Sequence, residues 1–360
     1  MSERVINFNP GPATLPLPVL KTAQEELLNY HGEGMSILEM SHRSKTFDAL
    51  VQEAEERIRR IMNFPDTYQV LFLQGGATAQ FAAVPLNLSQ EGKVGEYVNT
   101  GAWATKAIKE AQKLDKPYRV VASSEEDGFR SIPTDFKVGE DAAYLHITSN
   151  NTIYGTQWPE YPQTGDVPLV ADMSSDLYCR RFNPEQFGLI YAGAQKNAGP
   201  SGVTIVIVRK DLLERSPANI PTILNYKLFA EKHSLYNTPN CFGIYMVNLV
   251  MKWIEDEGGI DVIEQRNRKK AELLYNVLDS SDFYRPHASK PFRSLMNVTW
   301  RLPSEELEKT FVAEAAAQGL VGLKGHRSVG GIRASIYNAM TVEGVERLTE
   351  FMKSFEQRYG

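Results

Sequence analysis

Two residues of this 360-residue sequence stand where ionisable side chains can do chemistry. Lys196 ends the run Ile190-Tyr-Ala-Gly-Ala-Gln-Lys, a short apolar strand that delivers one amine into a small-residue loop. Asp172 closes an earlier run of the same kind, Pro168-Leu-Val-Ala-Asp, and is followed by Met173-Ser-Ser. Groups at the ends of consecutive sheet strands face the same rim, which is where open α/β sheets bind ligands. An amine and a carboxylate at that rim suit pyridoxal phosphate: the lysine forms an imine, a Schiff base, with the aldehyde, and the carboxylate keeps the pyridine nitrogen protonated. Each residue alone also has a plainer reading, a solvated lysine after a strand and an Asp that caps a turn before Ser-Ser.

Other segments fit the same chemistry. Gln74-Gly75-Gly76-Ala77-Thr78-Ala79-Gln80 leads from an apolar run straight into a helix-like stretch. Unobstructed backbone amides at a helix start receive a phosphate, and Thr78 adds a hydroxyl. The turn is neither Gly-x-Gly-x-x-Gly nor a Walker loop, which counts against nucleotide binding. Trp103, in Thr100-Gly-Ala-Trp-Ala, can lay its ring on a flat heteroaromatic ligand or simply fill a core. Residues 148 to 156, Thr-Ser-Asn-Asn-Thr-Ile-Tyr-Gly-Thr, are polar just past an apolar strand, and Thr152 can donate to a phenolic oxygen. Basic side chains gather in Ser41-His42-Arg43-Ser44 and in Gly325-His326-Arg327-Ser328-Val-Gly-Gly-Ile-Arg333. Arginines there can grip carboxylate or phosphate with two parallel bonds.

These residues must be positioned by a sheet. Val70–Leu73, Val94–Val98, Tyr118–Ala122, Ala143–Thr148, Pro168–Asp172, Leu189–Ala192 and Val203–Val208 read as buried strands interleaved with helices, predicting a mostly parallel sheet covered on both faces. The first fifteen or so residues, rich in Asn, Pro and Gly, read as an arm laid over another part of the molecule. Phe242, Tyr245, Met246, Leu249, Val250 and Trp253 recur at helical spacing, and the basic helix after Gly258-Gly259 reads as a solvated face. Strand, helix, strand and helix over 294–301, 303–318, 331–337 and 342–357 predict a smaller α+β unit from near residue 256.

Composition narrows the function classes. With Lys+Arg 39 against Asp+Glu 44, the net charge of −5 gives no global attraction to nucleic acid or to an anionic membrane. Two distant cysteines, Cys179 and Cys241, fit a reducing, cytoplasmic setting without a disulfide scaffold. The six histidines form no metal motif, so no metal is expected. The sequence shows no signal-peptide core and no uncharged stretch of membrane-spanning length.

Together the segments NFNPGPATLP, SHRS, FLQGGATAQF, ITSNNTIYGT, ADMSSD, YAGAQKNAGPSG, SLYNTP, SLMNVTW and GHRSVGGIRASIYNA resemble, in order and over nearly the whole length, the phosphoserine aminotransferase family, class V aminotransferases of the fold type I pyridoxal phosphate enzymes. The resemblance implies an α/β fold: an arm over 1–15, a large cofactor domain over 16–255 with a mostly parallel seven-stranded sheet, and a small α+β domain over 256–360. It implies one pyridoxal 5'-phosphate per subunit as a Schiff base on Lys196, with Asp172 on the pyridine nitrogen and Trp103 stacked on the ring. Gly76, Ala77, Thr78, Thr152 and Gln195 would also touch the cofactor. Asn237 and Thr238 would reach the neighbouring site, making a homodimer. His42, Arg43, His326, Arg327 and Arg333 would hold substrate anions, with Arg333 on the α-carboxylate. The implied reaction moves an amino group between L-glutamate and 3-phosphohydroxypyruvate, giving O-phospho-L-serine and 2-oxoglutarate for serine biosynthesis, with a related four-carbon reaction in vitamin B6 synthesis. Two departures stand out. The phosphate turn carries Ala77-Thr78-Ala79 in place of a more glycine-rich loop containing arginine, so amides and hydroxyls must anchor the phosphate, and Asn9 stands where some relatives have serine.

Overall fold

The computed structural model describes residues 4–360. Strand β1 (Ile6–Asn7) lies in the arm, and the central sheet is built from β2 (Tyr68–Leu73), β3 (Val94–Asn99), β4 (Tyr118–Ser123), β5 (Ala142–Thr148), β6 (Leu169–Asp172), β7 (Leu189–Gly193) and β8 (Thr204–Arg209). Their spatial order is β2-β8-β7-β6-β5-β3-β4. Only β8 runs against its neighbours β2 and β7, while all other pairs are parallel. The seven runs are these seven strands, and the mostly parallel sheet is as expected; the run at Tyr118–Ala122, expected to be buried, is instead the largely exposed β4, because it stands at the edge of the sheet with a neighbour on one side only.

Helices α1 (Leu17–Glu26), α2 (Lys45–Met62), α3 (Gly76–Leu88), α4 (Ala102–Lys113), α5 (Lys210–Leu213), α6 (Tyr226–Glu231) and α7 (Cys241–Asp256) cover the sheet. Side chains alternate across a strand, and the sequence supplies apolar residues to both sides. Val70 and Phe72 of β2, Ile190 and Ala192 of β7, and Ile205 and Ile207 of β8 enter one core with α2 and α7. Their neighbours Leu71, Leu73, Leu189, Tyr191, Val206 and Val208 enter a second core with α3 and α6. Such continuous apolar runs are what a sheet covered on both faces requires. β3 pairs with β5 on one side and β4 on the other, so the chain changes direction across the sheet there. That is the place where ligands bind open sheets.

Beyond α7 the chain forms α8 (Ile260–Asp279), β9 (Arg285–Pro286), β10 (Asn297–Arg301), α9 (Glu305–Ala317), β11 (Leu320–Val321), β12 (Ile332–Ser335) and α10 (Val342–Tyr359). A separate core gathers Leu274, Val298, Phe311, Ala334 and Phe355. The arm is ordered against this part: β1 pairs parallel with β11, Ile6 opposite Leu320, and Phe8 is fully buried in the same core. Phe8→Ala should therefore cost about 3–5 kcal/mol of stability, seen as a lower thermal midpoint of the purified protein.

One expectation needs correction. The basic helix α8 is not solvated throughout, because Lys270 is fully buried. It falls on the side of α8 that carries Ile263, Asn267 and Leu274, and its ammonium donates to the carbonyls of Ile336 (2.9 Å) and Tyr337 (2.6 Å). Burial pushes this amine well below the ordinary lysine value, and the two carbonyls supply the hydrogen bonds that water would have made.

Candidate active site

A cavity of about 380 Å³ opens at the carboxyl ends of β5, β6 and β7, against the start of α3. The elements deliver its chemistry one by one. β6 and β7 are parallel neighbours with Asp172 opposite Tyr191, so the Asp172 carboxylate and the loop after β7 emerge side by side. Asp172 is almost fully buried, and the backbone N–H of Ser174 donates to its Oδ1 (2.9 Å). The turn reading and the chemical reading of Asp172 thus both hold: the turn fixes one carboxylate oxygen and aims the group into the cavity. Burial pushes the carboxyl up from its ordinary range, against the pull of Ser174 and of the Lys196 charge.

Lys196 follows β7, and its Nζ donates to Thr152 Oγ1 at 3.0 Å. Burial pushes the amine down from 10.5 to about 8, an effect opposed by Asp172 and reinforced by the Arg333 charge. Desolvation disfavours the charged form of both groups. The cavity is therefore short of counter-charge, and it holds a nucleophilic amine ready beside a carboxylate. Lys196 Nζ lies 5.7 Å from the centre of the Trp103 ring, which α4 presents from its first turn after β3.

The phosphate-like end is built from backbone. Helices α2, α7, α9 and α10 each begin with a side chain that accepts from the first turn. Helix α3, like α1, α4, α5 and α8, has no such side chain and begins at Gly75. Gly75 has φ 89° and a Cβ there would lie 2.5 Å from the Cβ of Ala79, so the tight approach to the helix needs glycine. Gly76, Ala77 and Thr78 line the cavity at this helix start, where free amides and the helix dipole attract an anion.

The opposite end is cationic. Arg333 on β12 is almost fully buried and donates to the Thr152 carbonyl at 3.1 Å. His326 lines the cavity beside it, its pKa lowered by burial and by the charges of Arg333, Arg327 and Lys106. The polar loop after β5 finds its partners inside the protein: Asn150 donates to Ser175 and to Asn297, each at 2.8 Å, and Asn151 to Thr156 at 2.9 Å.

Of the residues singled out from the sequence, Gly76, Ala77, Thr78, Trp103, Thr152, Asp172, Gln195, Lys196, His326 and Arg333 meet in this one cavity. His42, Arg43, Asn237, Thr238 and Arg327 are not among its lining residues. Arg43 is exposed and lies 3.5 Å from His42, while the Thr238 carbonyl accepts from Gln74 beside the helix start. Sequence reasoning missed Pro10 and Gly11, which the arm lays on the rim, and Thr148, Ser174 and Ser175. It also missed Lys106, whose ammonium sits 4.1 Å over the Trp103 ring. The spacing of Lys106 from Trp103, one helical turn, was the available signal.

The donor set fits pyridoxal phosphate. Trp103 Nε1, Thr148 Oγ1 and Arg333 Nε are buried polar atoms without a hydrogen-bond partner, all on residues lining the cavity. A polar ligand with a phosphate at α3 and a basic ring nitrogen at Asp172 answers the unsatisfied cavity chemically. Among the described residues no group of three His, Cys, Asp or Glu could hold a metal ion, and no helix is long and apolar enough to cross a membrane. Cys179 is fully buried and burial pushes its thiol up to about 12, which removes it as a nucleophile.

Comparison with known proteins agrees with this geometry. Residues 5–348 match the aminotransferase class-V family. The chain is 60% identical, over 100% of both chains, to a phosphoserine aminotransferase of Desulfatibacillum aliphaticivorans. Its structure superposes with a TM-score of 0.98 on a phosphoserine aminotransferase of Bacillus circulans subsp. alkalophilus, 54% identical with both chains fully covered. A PLP-bound phosphoserine aminotransferase from Trichomonas vaginalis is 37% identical with a TM-score of 0.93, over 97% of this chain and 100% of the other.

Proposed function

The chain belongs to the class-V aminotransferase family, and from that membership we propose that it moves an amino group between L-glutamate and 3-phosphohydroxypyruvate, forming O-phospho-L-serine and 2-oxoglutarate. It is a pyridoxal phosphate-dependent enzyme of fold type I. The observation that carries the reading is the single cavity in which a desolvated amine, a buried carboxylate, an uncapped helix start and a buried arginine converge.

When bound, pyridoxal phosphate supplies an electron sink for the carbon that loses its proton. The rest is the work of the polypeptide. Lys196 is the residue that attaches the cofactor. Its freed Nζ then takes the proton from the substrate α-carbon, which an amine with a pKa near the working pH can do. Thr152 holds that nitrogen in place through the 3.0 Å bond. Of the residues lining the cavity, Asp172 would hold its negative charge against the ring nitrogen, Trp103 would pack on the ring, and Gly76, Ala77, Thr78 and Gln195 would hold the phosphate and the rest of the ring. Arg333 takes the α-carboxylate, leaving His326 and Arg327 for the distal anion, phosphate in one substrate and carboxylate in the other.

His42, Arg43, Asn237 and Thr238 do not line the cavity of their own chain. In this reading Asn237 and Thr238 of the partner subunit complete the phosphate end, so the enzyme works as a homodimer. The division into an arm over 1–15, a large domain over 16–255 and a small domain over 256–360 belongs to the same proposal. It is supported by the separate cores, between which α8 runs with Ile263 in one and Leu274 in the other. A cytoplasmic setting is proposed from the two free cysteines.

Borohydride reduction of the holoenzyme followed by peptide mapping tests the attachment, and the label is expected on the peptide carrying Lys196. A donor panel of phosphoserine, glutamate, alanine, aspartate and cysteine tests the substrate class, and phosphoserine and glutamate should lead by a wide margin. A label on another lysine, or alanine as the best donor, would defeat the respective part.

A further inference from the structure

The segment that presents His326 and Arg327 is held from behind by a pair of charged residues outside the cavity. Residues 325–331 form a tight return: the Gly325 N–H donates to the Gly331 carbonyl (2.8 Å), and the Val329 and Gly330 N–H groups both donate to the His326 carbonyl (2.9 and 2.8 Å). The close approach leaves no room for side chains, since a Cβ at Gly325 would lie 2.0 Å from the Gly330 oxygen. Arg301, at the end of β10, donates from Nη1 to the Val329 carbonyl (2.9 Å) and from Nε to Glu308 Oε1 (2.5 Å). Glu308, on α9 and only 7% exposed, uses its other oxygen to accept the Gly331 N–H (3.1 Å). Two oppositely charged side chains thus grip a carbonyl and an amide of one backbone turn while bonded to each other.

We infer that the Arg301–Glu308 pair is a positioning clamp for the 325–331 return and thereby sets the enzyme's preference for substrates with a distal anion; this rests on the reading that His326 and Arg327 bind that anion. Neither clamp residue lines the catalytic cavity, and the groups of both that bond the return are turned to its backbone. Their effect passes through the backbone: without the clamp the return loses the two bonds that anchor its second half, and His326 and Arg327 lose a fixed position. The carboxylate is buried and paired, so removing the arginine strands it, whereas the half-exposed Arg301 can turn to water when the carboxylate is removed. The Lys196 and Asp172 side chains stand on other anchorages, the loop after β7 and the Ser174 turn. Arg333 lies on β12 two residues past the clamped Gly331 but keeps ties of its own, the pairing with Thr299 of β10 and the bond to the Thr152 carbonyl. The α-amino acid end of the substrate therefore depends on the clamp less than the distal end does.

The test compares Glu308→Gln and Arg301→Lys with the unmodified holoenzyme in single-turnover half-reactions. Loose placement of binding groups costs about 10- to 100-fold, so KM for glutamate and for 3-phosphohydroxypyruvate should rise by about that factor. Alanine, which has no distal anion, should react at an unchanged rate, and the pH titration of the cofactor absorbance should not move. Inorganic phosphate is the second probe: in the holoenzyme the helix start is filled by the cofactor, so calorimetry reads the distal site, and its Kd should weaken in both variants. Equal losses for alanine and glutamate would make the pair merely structural, and unchanged glutamate and phosphate binding would overturn the clamp outright. If instead the unmodified enzyme shows no advantage of glutamate over alanine while the variants still weaken phosphate binding, the clamp stands and the proposed substrate falls.

Discussion

Replacing Lys196 with alanine abolishes turnover while leaving the protein folded. The side chain ends in the cavity, and its one hydrogen bond is to Thr152; the buried Asp172 loses a neighbouring positive charge, which pushes its carboxyl further up and lets it take up a proton rather than unfold the chain. Two functions go at once. The covalent anchor disappears, and so does the amine that moves the proton, a contribution worth about 10²–10⁴-fold by itself. The check is a coupled assay of phosphoserine formation alongside the absorbance of bound cofactor. With cofactor supplied in excess, substantial residual turnover of the variant would refute the role given to this amine. The environment explains the choice of residue. An exposed lysine stays protonated near neutral pH, whereas burial brings Lys196 from 10.5 to about 8. In the cofactor-free protein the sign follows directly. Between about 8 and 10.5 the unfolded chain binds a proton at this site that the folded chain does not, so the contribution of Lys196 to stability increases as pH rises through that window.

Asp172→Asn is expected to be nearly as severe. The amide is the same size, and its oxygen can still accept the Ser174 N–H, so the turn survives. What is lost is the negative charge. Removing one partner of a buried charge pair costs about 3–5 kcal/mol, which corresponds to roughly 10²–10⁴-fold if it is felt in the transition state. The kcat of each half-reaction should fall by that order, with a changed pH titration of the cofactor absorbance. A variant within about tenfold of the unmodified enzyme, on the scale of about 1.4 kcal/mol per decade, would mean that Asp172 serves the turn alone. The upward shift of this carboxyl is an effect of burial in a protein without bound ligand. A cation brought to it would reverse that shift, because opposite charge at short range outweighs desolvation once paired.

Much of this architecture was legible in the residues themselves. The inner strands announced themselves because a sheet covered on both faces needs apolar runs, and 190–192 or 205–208 offer no polar position to confuse the reading; the edge strand β4, with Arg119 in it, is largely exposed. Lys196 and Asp172 were legible for the same reason: each is the first ionisable residue after such a run, and chain direction puts parallel strand ends on one rim. The short pairings were not legible. β1 and β11 are two residues each, and their partnership depends on Phe8 being captured by a core assembled from residues far along the chain. Lys270 likewise reads as surface in a helix of charges, and only the carbonyls of Ile336 and Tyr337, brought in by β12, make its burial tolerable.

The same division holds within the site. Residue types and their order along the chain determined the chemistry, an amine, a carboxylate, an uncapped helix start and paired basic clusters, because those are properties of side chains and of local backbone. Tertiary structure alone decided which of the basic clusters share a cavity: Arg333 and His326 arrive from β12 and the return before it, beside the separate core formed beyond α7, while His42 and Arg43 stay outside the cavity. It also decided the protonation tendencies of Lys196 and Asp172, since desolvation is set by every neighbour packed around a group and by none of them singly.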